Sequence, residues 1–256
     1  MELYEYDTMR SVEDTYWWYT GLHTLITKNA RKALKNSSEL KVLDAGCGTG
    51  GMMAKLHQVL PEIELLGIDF SASAVEFTKQ RNIGTVKQAS VESLPFPNEF
   101  FDLVISLDVV CSEGVDDSKA FAEFHRVLKP GERLFVNLAA FNFLKGEHSL
   151  AGHEERRYTK QKLSKLLTRA GFVVEKMTYW NTTLFPVMAL WRPLSLILAN
   201  KQTPRSDLKP LPSFANQALT WLILREIQLT KSMSLPFGSS VFVIARKAET
   251  DDHILP

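Results

Sequence analysis

The chain has 256 residues, 45% of them hydrophobic and 23% charged, with a formal net charge of +1. That balance suits one α/β domain carrying an insertion, and it gives no general electrostatic case for nucleic acid. Two cysteines, Cys47 and Cys111, do not make a disulfide framework, so a reduced, cytoplasmic protein is expected.

The N-terminus, MELYEYDTMRSVEDTYWWY, is acidic and aromatic. It lacks a basic region followed by an apolar run, so no secretory leader is expected. A helix is predicted from Thr15 to Leu34. Leu40 to Asp44 is a short apolar run that ends at an acid and then at glycines, the pattern of a buried strand entering a loop. Gly51 to Leu60 has helical apolar spacing. Glu64 to Asp69 is a second buried strand, and Ser71 caps a helix running to Arg81. Weak and strong strands follow at Thr85 to Gln88 and Asp102 to Leu107. Asp116 to Leu128 is a helix stopped by Lys129-Pro130-Gly131, and Arg133 to Leu138 is a fifth strand.

Strands alternating with helices imply a doubly wound, mostly parallel sheet whose ligands bind at the carboxyl ends of the strands. The second half departs from alternation. A helix over Thr159 to Ala170 leads to strands at Phe172 to Tyr179 and Ser240 to Arg246. Between those strands lie about 60 residues, longer than a structural connection requires. They hold LFPVMALWRPLSLILA (Leu184 to Ala199), a polar linker, and a helix over Ala215 to Thr230. The apolar segment is shorter than a membrane span and is broken by Arg192-Pro193, so a buried or interfacial role is expected. The division expected is a helical cap over 1–36, a core over 37–180, a helical insertion over 181–238, and a last strand and tail over 239–256.

The loop VLDAGCGTGG fits two ligands. Gly46-x-Gly48-x-x-Gly51 has dinucleotide spacing, while Asp44-x-Gly46-x-Gly48-x-Gly50 suits an amino-acid-bearing nucleoside. A glycine loop opening a helix lets backbone amides approach a pyrophosphate or a carboxylate alike. Asp44 would repel pyrophosphate and suits an ammonium or sulfonium. It could instead cap the following turn. Asp69, at the end of the next strand, can accept hydrogen bonds from ribose hydroxyls or cap the helix after Ser71. Phe70 could pack on an adenine face or in the core. No metal-ligand spacing is visible.

VLDAGCGTG, LLGIDFSASAVEFTKQR, VESLPFPNEFFDLVISLDVV and FHRVLKPGERLFVNLAA occur in that order. Together they resemble the class I S-adenosylmethionine-dependent methyltransferases, and within them the group of the quinone-biosynthesis enzymes. The resemblance covers about Leu40 to Leu138. It implies a seven-stranded Rossmann-like sheet and S-adenosylmethionine as cofactor. It places Asp44, Gly46, Cys47, Gly48 and Gly50 around the methionine portion, Asp69 on the ribose, and Phe70, Ser90 and Val91 at the adenine. Ser90 stands where relatives often carry an aspartate. Leu107 and Asp108 face cofactor and substrate. Many relatives have a histidine soon after this strand, and VVCSEG lacks it.

An acceptor at carbon, or at oxygen of high pKa, needs a base. The candidates are His23, His153 and Tyr158, with His148 nearby. Trp18 and Arg157 join Asp108 as candidate substrate contacts. The reading is a methyltransferase for a small or lipophilic acceptor, with peripheral membrane contact through 184–199. A non-catalytic cofactor-binding protein and an NAD(P)-dependent oxidoreductase are the alternatives.

Overall fold

The computed structural model describes residues 3–34, 40–146, 149–150, 152–198 and 211–249. Helices α1 (Leu3–Val12) and α2 (Trp17–Ala33) come first. The core then runs β1 (Lys41–Ala45), α3 (Gly51–Val59), β2 (Glu64–Asp69), α4 (Ala72–Lys79), β3 (Thr85–Gln88), β4 (Phe101–Leu107), α5 (Asp117–Val127) and β5 (Leu128–Ala139). It continues with α6 (Lys160–Arg169), β6 (Phe172–Trp180), α7 (Phe185–Leu198), α8 (Ser213–Leu229) and β7 (Ser240–Lys247).

The strands form one seven-stranded sheet in the order β3-β2-β1-β4-β5-β7-β6. β1 to β5 pair in parallel, and β7 runs antiparallel between β5 and β6. This is the predicted doubly wound sheet. β1 and β4 read as nearly unbroken apolar runs because both faces of the sheet are covered. One face packs Phe121 and Phe124 of α5 and Leu163 and Leu167 of α6. The other packs Leu25 and Ile26 of α2, Met53 and Leu56 of α3, and Ile223 and Ile227 of α8. The strand order reverses between β1 and β4, so the crevice at their carboxyl ends is the expected ligand position.

Helix ends follow local chemistry. The Asp116 side chain accepts the Ser118 and Lys119 amides at the start of α5, and the Thr159 hydroxyl accepts the Lys162 amide at the start of α6. The predicted fifth strand begins earlier than Arg133. Leu128 already pairs with Phe101, and the register shifts before Leu103 pairs with Arg133.

Two features exceed the sequence reading. Residues Leu3–Val12 form a separate helix before α2. The apolar segment forms α7 with Pro193 inside it and a largely exposed face. No described helix is long and apolar enough to cross a membrane. α2 and α8 lie side by side. The Asn216 side chain accepts the Trp17 amide and donates to the Thr15 carbonyl, each at 2.9 Å. Gly21 permits this approach, since a Cβ there would stand 2.9 Å from Ile223.

Candidate active site

The glycine loop leaves β1 and is fastened to the end of β2. The Gly46 and Cys47 amides both donate to the Ile68 carbonyl at 2.8 Å. The Gly48 amide donates to Asp69 Oδ2 and the Ser71 amide to Asp69 Oδ1, each at 2.9 Å. Gly46 has φ +91°, and a Cβ there would stand 2.1 Å from Val109, so only glycine lets the β1 and β4 loops meet. Asp69 therefore shapes the loop as well as facing the crevice, and the capping alternative is realised in part. Burial raises its pKa, and the Ser71 and Gly48 amides pull the other way.

Asp44 is buried, and its Oδ2 has no hydrogen-bond partner. Burial pushes its pKa up to about 7, with the charges of Asp69 and Glu13 adding to the shift. An acid held this way is stabilised by a cationic ligand and repels an anionic one.

Sequence reasoning missed Glu13. This α1-to-α2 residue accepts the Thr49 hydroxyl at 2.5 Å and the Gly51 amide at 3.1 Å, and it pairs with Arg81 at 2.6 Å. A carboxylate of the chain itself thus sits on the N-terminus of α3, the seat a dinucleotide's pyrophosphate would take. Gly51 now has a reason of its own, because a Cβ there would stand 2.3 Å from Glu13 Oε2. Tyr6 and Met9 of α1 complete the cover: the Asp69 charge acts on Tyr6, and Met9 lies against Gly48. The Glu13 and Arg81 side chains are only 4% and 9% exposed. Glu13→Ala should therefore cost about 3 kcal/mol in urea denaturation, the scale for breaking a buried pair, and Glu13→Gln less.

The residues predicted to contact the acceptor begin beyond β4. Asp108 follows Leu107 with φ +57°, a strained conformation for a residue with a side chain. Its Oδ2 accepts from Asn137 Nδ2 at 2.8 Å, and Asn137 Oδ1 accepts from Trp180 Nε1 at 2.7 Å. Trp18 stacks on Trp180, with centroids 5.8 Å apart and planes 28° apart. Burial raises the Asp108 pKa to about 7, opposed by the Asn137 hydrogen bond. One continuous chain of contacts thus links the cap helix to a carboxyl group whose pKa lies near neutrality.

The other predicted residues are distributed differently. Cys47 is buried in the loop, 3.8 Å from the Thr78 hydroxyl. Phe70 is 81% exposed beside Asp69, which excludes a core role. Ser90 Oγ accepts the Glu92 amide at 3.1 Å, and Val91 is in the core. The three proposed bases differ in their surroundings. His23 is buried and its pKa falls to about 4 through desolvation, so it is a poor proton acceptor at neutral pH. His153 lies in a surface loop with its ring 3.3 Å from Glu113. Tyr158 is fully buried, and its hydroxyl donates to Asp117 at 2.9 Å. Arg157 is also spent: it binds Glu154, the Ser149 hydroxyl and the Ala140 carbonyl. His148 lies outside the described residues. Among the described residues no group of His, Cys, Asp and Glu could hold a metal ion.

The sheet order and loop are those of the Rossmann-like methyltransferase fold. Residues 43–136 match the family model Methyltransf_11, described as a methyltransferase domain. The chain is similar to the ubiquinone/menaquinone biosynthesis C-methyltransferase of Pasteurella multocida, at 33% identity over 55% of this chain and 64% of that protein. It is similar also to the malonyl-[acyl-carrier protein] O-methyltransferase of Hahella chejuensis, at 31% identity over 48% of this chain and 45% of that one. It spans less than two thirds of either relative. The fold matches geranyl diphosphate C-methyltransferase from Streptomyces coelicolor, solved with Mg2+, geranyl diphosphate and S-adenosyl-L-homocysteine (TM-score 0.57, 16% identity, 88% of this chain and 80% of that one). It also matches the [4+2]-cyclase SpnF (TM-score 0.56, 19% identity, 88% and 80%). The fold therefore hosts more than one reaction, and the reaction has to be argued from the site.

Proposed function

We propose that this chain is an S-adenosylmethionine-dependent methyltransferase for a small, lipophilic acceptor. The observation that carries the reading is the partnerless carboxylate oxygen of Asp44, buried beside Asp69 and Glu13. That cluster of acids fits a ligand carrying an ammonium and a sulfonium, and it does not fit a pyrophosphate. The same feature argues against the oxidoreductase alternative, and Glu13 on the α3 N-terminus reinforces it.

The cofactor would lie along the loop. Asp44, Gly46, Cys47, Gly48 and Gly50 would surround its methionine end, Asp69 would take the ribose, and Phe70, Ser90 and Val91 would flank the adenine. When bound, S-adenosylmethionine supplies an activated methyl group. The protein then mainly supplies proximity and orientation. Trp18, backed by the buried Trp180, would wall the acceptor, and Asp108, oriented by Asn137, would take its proton. Carbon and oxygen acceptors both fit this role. The relatives and the structural neighbour act on lipophilic or acyl-linked molecules by their names, and the apolar cover over this side suits such an acceptor.

The test is calorimetry with S-adenosylmethionine, S-adenosylhomocysteine and NAD, followed by transfer of labelled methyl into an organic extract. Micromolar binding of the first two and label in the organic phase are expected. Binding of NAD alone would refute the reading. Binding without transfer to any extract would leave a non-catalytic cofactor-binding protein.

A further inference from the structure

α7 presents an unusual surface. Val187, Leu190, Trp191 and Leu194 are 64%, 80%, 58% and 47% exposed. Their spacing puts them on one side of the helix, so the stripe is built in and is not scattered exposure. Monomeric proteins rarely leave such a contiguous apolar patch uncovered.

The stripe continues into an aromatic cluster. Phe185, the first residue of α7, lies 5.2 Å from Phe237 and 6.1 Å from Phe143 between ring centroids. Phe143 and Phe237 are themselves 54% and 42% exposed. Phe143 in turn neighbours Phe141, which stacks on Tyr179 at the end of β6. The aromatic cluster therefore runs from the surface of α7 to the carboxyl end of β6. α8 adds Phe214 and Trp221, exposed at 77% and 60%, with the Arg225 guanidinium 5.4 Å over the Trp221 ring.

Charge chooses the occupant. The described residues of the stretch from Asn181 to Gly238 include three basic ones, Arg192, Arg225 and Lys231, and a single acidic one, Glu226. Glu226 is buried and accepts from Thr182 and Thr183. With a whole-chain charge of only +1, the rest of the protein is net acidic. A second copy would bring the same basic surface against this one. An anionic lipid surface would be attracted to it and would take up the apolar stripe.

We infer that the exposed faces of α7 and α8 form a docking surface for an anionic lipid bilayer. The stripe enters the acyl boundary, and Arg192 and Arg225 stay among the headgroups. The docking itself does not depend on the reaction proposed for the crevice.

The experiment is sedimentation of the full chain with phosphatidylcholine vesicles, with and without phosphatidylglycerol, at low and high salt. Tighter binding to the anionic vesicles, weakened by salt, is expected. The double variant L190D/W191D, whose side chains are exposed, should fold and bind S-adenosylmethionine unchanged. It should need about tenfold more lipid for half-maximal binding, or bind none, from the lost apolar burial. No binding by the native chain, or equal binding by the variant, overturns the proposal. A native dimer by light scattering that the variant dissociates, without lipid binding, would assign the stripe to a second copy and equally overturn it. Cofactor calorimetry on the same samples keeps a failure here distinct from a failure of the methyltransferase reading.

Discussion

Asp108→Asn is expected to lower kcat by about 10²–10⁴-fold, the usual contribution of a positioned proton acceptor, with little change in cofactor affinity. The substitution preserves shape while removing the charge. The pH profile carries the argument. Asp108 has a raised pKa near 7, so the free enzyme holds the active carboxylate form only above that value. The value of kcat/KM for the acceptor should climb through about pH 7 and level off, and the limb should vanish in the variant. Asn137→Ala should move the limb upward, because Asn137 favours the ionised form. Rates within a factor of about two of native in Asp108→Asn would show that the acceptor loses its proton without help.

Asp44→Asn is expected to move stability and affinity in opposite directions. The Asp44 pKa rises from 3.8 to about 7 on folding, and each unit is worth about 1.4 kcal/mol, so its ionisation costs the free protein roughly 4 kcal/mol. The folded pKa is the higher one, so the folded state keeps a proton that the unfolded chain has lost between about pH 4 and 7. Stability therefore declines as pH rises through that window. The asparagine variant should be about 1–4 kcal/mol more stable at pH 8, with the gain fading as pH falls towards 4. Its affinity for S-adenosylmethionine should fall by about 10–100-fold, the range for one charge-assisted hydrogen bond. An equal loss for S-adenosylhomocysteine would assign Asp44 to the ammonium that both ligands carry, and a selective loss would assign it to the sulfonium. Denaturation across pH and calorimetry with both ligands give the readouts. Unchanged affinity for both removes Asp44 from the site.

The ends of β1, β2 and β4 were legible because each is an apolar run stopped by an acid. Asp44, Asp69 and Asp108 all stand at such stops, and the parallel sheet brings them to one edge. Helix α1 was not legible. Its sequence is polar, and what seats it is a contact between Glu13 and Arg81, 68 positions apart, for which no periodicity exists. The one local trace was Gly51, a glycine that the methionine-ligand loop does not need and that Glu13 does. The proposed bases raise a separate point. His23 and Tyr158 were chosen by residue type, and burial decides whether such groups can work. Asn137, a lone amide inside the apolar run LFVNLAA, was the better pointer, since a polar side chain in a buried strand requires partners. Those partners proved to be Asp108 and Trp180.

Asn216 joins segments about 200 positions apart, clasping the start of α2 while Gly21 lets α8 settle against it. The cap and insertion helices, proposed to flank the acceptor, therefore form a matched pair. Grafting either one alone onto another cofactor domain would strand the Trp17 amide without its acceptor. Grafting a foreign α2 with a side chain at position 21 would drive it into Ile223. On the proposed function, acceptor preference in this scaffold travels with a pair of helices, and an attempt to transplant it must move both.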